Sequence, residues 1–175
     1  MDKNIITECY VDTCLVETLV VTKVDCNHQY GCNDVANVMR KGVLKDSFAL
    51  GIVDKDKRSL KYLEEFELKK QFNNKLYLYK HKAKAHYIIQ IAPAVERFMM
   101  DAAQDSGLSL ANYNLPNTLK ELINETKDHI KTKKDKRLQQ LFKDLKQRGS
   151  ENICKLAQWV EHLKTNPYNP QFDLL

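Results

Sequence analysis

Long apolar runs are what this 175-residue chain most obviously lacks. None approaches the roughly 18 residues that a bilayer-spanning helix needs, so no membrane partner is expected. The opening Met1-Asp2-Lys3-Asn4 runs straight into Ile5-Ile6 and lacks the apolar stretch of a signal peptide. Cysteine is present but unpatterned: five residues, an odd number, with no spacing that reads as a disulfide framework. These absences favour a reducing, cytoplasmic setting. Glycine and proline are scarce, at five and four residues, and no internal repeat or low-complexity segment occurs. No Gly-x-x-x-x-Gly-Lys-[Ser/Thr] loop is found, so the chain brings no ATPase of its own.

What remains is an ordinary globular composition, 43% hydrophobic and 29% charged, enough for a core of its own. The net charge of +5 is unevenly placed. Between Lys120 and Arg148 stand ten Lys or Arg against five Asp or Glu, which accounts for the whole excess. A basic segment beside a neutral remainder suits a polyanionic partner, and equally suits a solvated helical face.

Strand signals fill the first hundred residues. Ile5-Ile6-Thr7-Glu8 reads as a strand, and Asp12-Thr13 as the cap of a helix with Leu15, Val16, Leu19 and Val20 on its apolar face. Thr22 to Asp25 reads as a short second strand. Asn33-Asp34 would cap a helix through Val35, Val38 and Met39 that ends at Gly42. Cys26, His28 and Cys32 fit no familiar zinc spacing. Ser59 would cap a helix carrying Leu60, Leu63 and Phe66, and Lys75 to Lys80 and Tyr87 to Ala92 read as strands. Pro93 would occupy the first position of a helix with Val95, Phe98 and Met99 inside and Glu96 in its first turn. From Leu108 onward only helical stripes remain, the last opening after Gly149-Ser150-Glu151. The expected division is an α/β domain over 1–107 and a helical C-terminal region over 108–175.

The stretch of most chemical interest is Phe48-Ala49-Leu50-Gly51-Ile52-Val53-Asp54-Lys55-Asp56. Its apolar run reads as a strand buried on both faces. Residues i and i+2 of an extended chain share a side, so Asp54 and Asp56 offer two carboxylates to one point beyond the strand. Hard oxygens there suit a divalent cation, while a polar turn is the plain alternative.

Thr7-Glu8-Cys9-Tyr10-Val11-Asp12 followed by Gly51-Ile52-Val53-Asp54-Lys55-Asp56 resembles the TOPRIM domain, the metal-binding module of topoisomerases, primases and several nucleases. The resemblance implies a Rossmann-like, mostly parallel sheet, here with a C-terminal helical appendage. It implies that Glu8, Asp54 and Asp56 are catalytic and hold Mg²⁺ (or Mn²⁺). Glu96 looks like the additional acidic ligand of overcoming-lysogenization-type nucleases. Cys9 stands where the family usually has glycine. The implied activity is metal-dependent hydrolysis of DNA or RNA, transfer RNA included, in a bacterial anti-phage defence or toxin-like setting with a separate ABC-type ATPase subunit. Lys55, Lys57, Arg58, Lys82 and Lys84 beside the site, and Lys133, Lys134 and Arg137 in the basic segment, are the candidate contacts to nucleic-acid phosphates. A homodimer stays open, as does a non-catalytic interaction module built on the same fold.

Overall fold

The computed structural model describes residues 2–55, 60–127 and 130–175. In chain order the elements are Ile5–Thr7 (β1), Tyr10–Leu19 (α1), Asn27–His28 (β2), Cys32–Met39 (α2), Ala49–Asp54 (β3), Phe66–Phe72 (β4), Leu76–His81 (β5) and His86–Ile91 (β6). Four helices follow: Val95–Asp105 (α3), Leu119–Thr126 (α4), Lys136–Gln147 (α5) and Glu151–Thr165 (α6).

One six-stranded sheet runs in the order β2-β1-β3-β6-β5-β4. Its first four members are mutually parallel, while β5 and β4 are antiparallel additions at one side. The fold is therefore α/β around a mostly parallel sheet. Alternation along the strands feeds two separate layers. Ile5, Leu50, Ile52, Tyr87 and Ile89 face the side covered by α1 and the later helices. Ile6, Ala49, Val53 and Ile88 face Val35, Ala36 and Met39 of α2. Covered on both faces, β1, β3 and β6 need near-continuous apolar runs, which Ile5-Ile6, Ala49 to Val53 and Tyr87 to Ile89 supply.

The C-terminal helices do not form a core of their own. Phe98, Leu122, Leu141, Phe142, Trp159 and Leu163 belong to the same buried cluster as the sheet residues Leu76, Leu78 and Ile91. The sheet connectivity also creates a crevice. From β1 the chain passes through α1 to β2 on one side, then returns through α2 on the opposite face to β3 on the other side. The winding direction reverses between β1 and β3, and in open α/β sheets that switch point is where ligands bind.

Several local expectations are corrected. Asp12 is not the cap of α1. Cys9 is, in an extended conformation, and Asp12 sits at the third helical position as its capping-box partner. The second strand is Asn27–His28, later than Thr22 to Asp25. Gly31 caps α2, and Gly42 opens a separate 3-10 turn instead of closing the helix. Leu63 belongs to a short 3-10 stretch, Lys61–Glu65, that Leu60 caps, and Phe66 starts β4; Ser59 lies outside the described residues. Pro93 precedes Ala94, the N-cap of α3, rather than occupying the first helical position.

Gly51 lets α2 approach β3. A methyl group built there would stand 3.0 Å from both Met39 Sδ and Val35 Cγ1. Gly51→Val adds two further carbons into that contact, and overpacking of this kind costs about 1–3 kcal/mol. A urea denaturation curve is expected to show a lowered midpoint by that amount.

Candidate functional site

The parallel strands β1, β3 and β6 lie side by side, and each delivers one carboxylate at its carboxyl end. Glu8 follows β1, Asp54 closes β3, and Glu96 stands in the first turn of the helix after β6. All three line one cleft of about 320 Å³. The same cleft is lined by His28 at the end of β2, by Tyr10 and Tyr30 from just beyond β1 and β2, and by Thr126 and Lys127 at the α4 end.

Backbone amides fix the acidic groups. Glu8 Oε2 accepts the Asp54 N–H at 2.8 Å, tying β1 and β3 together at the crevice. Asp54 Oδ1 accepts the Val95 N–H at 2.9 Å, so the α3 N-terminus faces it. Thr126 Oγ1 donates to Glu96 Oε1 at 3.1 Å and brings α4 over the cleft. Behind the wall, Asp12 Oδ2 accepts the Cys9 N–H at 3.2 Å. Its other oxygen, Oδ1, is buried with no hydrogen-bond partner among the described residues.

This crowding of acids shows in their titration. Burial, then the charges of Asp12, Glu8 and Glu96, push the Asp54 carboxyl up to about 9. Burial first, followed by Glu8 and Glu96, also raises Asp12. Burial and Asp12 push the Cys9 thiol up, which keeps it neutral. His28 is lowered by burial and by Lys133, so its ring is uncharged at neutral pH.

Carboxylate oxygens are the kind of donor that hard divalent cations take. The cleft offers those of Glu8, Asp54 and Glu96, the Asp54 carboxyl being forced towards protonation, with an orphaned buried carboxylate oxygen of Asp12 behind. Among the described residues no three His, Cys, Asp or Glu are already arranged to hold an ion. Asp56, the second member of the Asp-x-Asp pair, lies outside the described residues, as do Lys57 and Arg58.

The candidate phosphate contacts are dispersed. Lys55 is at the carboxyl edge with its Nζ 3.3 Å from the centre of the Tyr77 ring. Lys82 and Lys84 are not beside the site. They lie in the β5–β6 turn, and since His86 pairs with Ala49 while Ile91 pairs with Asp54, that turn is at the opposite end of the strands. Lys82 Nζ donates to Glu64 O and Lys84 Nζ to Lys45 O. Lys133 is held by Asp25 at 3.0 Å and Glu17 at 3.4 Å. Arg137 bonds Asp135, Glu125 and the Asn114 carbonyl, an internal network that leaves little of its fork for phosphate. Lys134 is exposed.

Residue-level reading of the sequence missed Asp12 as part of the acidic group, and it missed the aromatic wall. Only the four-residue step from Glu8 to Asp12 carried a signal for the first. Tyr10 and Tyr30 carried none, because their meeting requires β1 and β2 to be neighbours. Comparison of the chain with protein-family models, curated proteins and solved structures found no match.

A carboxyl with a raised folded value stays protonated where the unfolded chain, near the usual 4, has already ionised. Stability contributed by neutral Asp54 is thus full below about 4 and is lost as pH rises towards about 9. Thermal melts in metal-free buffer are expected to fall between about pH 5 and about pH 9, and Asp54→Asn to flatten that slope.

Proposed function

We propose that the chain is a divalent-metal-dependent nuclease hydrolysing phosphodiester bonds of DNA or RNA, with Glu8, Asp54 and Asp56 as the catalytic group and Glu96 as a further ligand. The observation that carries this reading is the convergence of Glu8, Asp54 and Glu96 on one cleft at the switch point of a parallel sheet. The TOPRIM resemblance of the two strand-end motifs supports it, and with it come the wider expectations: transfer RNA among the substrates, an anti-phage or toxin-like role, and a separate ABC-type ATPase as regulator.

Bound Mg²⁺ or Mn²⁺ would supply a lowered pKa for attacking water and compensation for charge building on the phosphate. Glu8, Asp54 and Glu96 would hold it, with Asp56, two residues further along the sequence, as the remaining ligand the resemblance implies. Asp54 is oriented for this by the Val95 amide, and Glu8 by the Asp54 amide, so neither side chain must reorganise far. The hydroxyl of Thr126 keeps Glu96 turned inward. Lys127, which also lines the cleft, adds a positive charge for an incoming phosphate.

A second reading, a non-catalytic interaction module, is favoured by one observation: Lys133 and Arg137 are engaged in internal ion pairs rather than held out to a polyanion.

Two measurements separate the readings. Under the nuclease reading, saturating Mg²⁺ or Mn²⁺ (about 100 times its Kd) stabilises the fold by about 2.7 kcal/mol, a rise of roughly 5–10 °C in Tm. Mixed DNA and RNA substrates are cleaved, and Glu8→Ala or Asp54→Ala lowers the rate at least about 100-fold. No cleavage by the wild type, with and without candidate ATPases, together with an unmoved Tm, leaves only the interaction module.

A further inference from the structure

The aromatic wall of the cleft has a geometry that packing alone does not require. Tyr10 and His28 lie parallel, ring centres 3.8 Å apart and planes 7° from coplanar. Tyr30 stands nearly perpendicular to both, at 85° to Tyr10 and 87° to His28. Its hydroxyl is 2.7 Å from that of Tyr10. Yet Tyr30 is 69% exposed, one of the large side chains the fold leaves in water. A tyrosine fixed by one hydrogen bond and two ring contacts, with most of its surface in water, loses little freedom when a flat partner settles on it.

Position narrows the partner. Tyr30, Tyr10 and His28 line the same cleft as Glu8, Asp54 and Glu96, and so does Lys127. A ligand spanning the cleft would carry a flat unsaturated ring at one end and an anionic group, for a cation or Lys127, at the other. A nucleotide unit has this pattern. Its base must be unpaired, because a base inside a duplex keeps its faces covered by its neighbours.

We propose that Tyr30, braced by Tyr10 and His28, is the platform on which a base of a single-stranded nucleic acid stacks while the adjoining phosphate enters the carboxylate cleft. The inference rests on the nuclease reading and adds the strandedness of the substrate and the residue that selects it. Base-aromatic stacking tolerates every base, so the site distinguishes single strands from duplexes without reading sequence.

The test uses the whole chain with Ca²⁺ in place of Mg²⁺, and single-stranded DNA and RNA probes of about 12 nucleotides containing 2-aminopurine. The wild type is expected to bind and to quench the 2-aminopurine emission. Tyr30→Ala is expected to weaken binding about tenfold and abolish the quench, and Tyr30→Phe to keep both. Since a variant can fail for other reasons, a sugar-phosphate probe without bases is offered to the wild type, where it is expected to bind about tenfold more weakly than the full probe. If the wild type binds the single strands while Tyr30→Ala binds and quenches equally, or the baseless probe binds equally, the stacking platform is overturned and the nuclease reading stands. If the wild type binds no nucleic acid of any form, both fall together.

Discussion

The repulsion among Glu8, Asp12, Asp54 and Glu96 is the constraint on which the carboxyl edge of the sheet depends. Two like charges about 5 Å apart repel by roughly 3 kcal/mol at an effective dielectric near 20. A fold tolerates such a group only if donors or protons answer it. Three backbone amides do part of this, from Asp54, Val95 and Cys9, and two of the receiving carboxylates sit at the N-terminal ends of α1 and α3. Protons do the rest, as the raised Asp54 and Asp12 carboxyls indicate. A group of acids that retains protons near neutral pH is one a cation could discharge, and carboxyls perturbed this far mark a candidate functional site.

Topology and charge meet at one place. The reversal of winding between β1 and β3 opens the crevice, and these two strands carry Glu8 and Asp54 to its rim. Next to them β6 brings Glu96, and β2 sets His28 beside Tyr10. The helical C-terminal region takes part too. Thr126 of α4 reaches Glu96, and α4 shares its core with the sheet, so the helices close the cleft instead of hanging from it.

How much of this could be read from the chain follows from what each segment buries. β1, β3, β5 and β6 were legible because strands covered on both faces or central to a sheet need apolar runs. β4 was not: Phe66-Glu67-Leu68-Lys69-Lys70-Gln71-Phe72 is an edge strand, mostly exposed, and its polar residues hide the pattern. The spacing of Leu60, Leu63 and Phe66 fitted a helix, yet Phe66 buries itself as a strand residue against Tyr62. The placement of Glu8, Asp54 and Glu96 at strand ends and a helix start was legible because those are local features. The fates of Lys84, Lys133 and Arg137 were not, since Lys45, Asp25 and Asn114 are far away in sequence.

Cys9 shows how one residue bears on the chemistry of its neighbours. Where the TOPRIM pattern has glycine, this chain needs no glycine: Cys9 has φ −140° and ψ 174°, extended backbone open to any side chain. Its thiol accepts the Asp12 N–H at 3.4 Å, and that capping box is what places the Asp12 carboxylate behind the cleft. As a thiolate, Cys9 would add a soft ligand and pull the site towards zinc. Burial and the adjoining carboxylates hold the proton on sulfur instead. The donors that remain in the cleft are carboxylate oxygens and the neutral His28 ring, a set in which hard oxygen predominates.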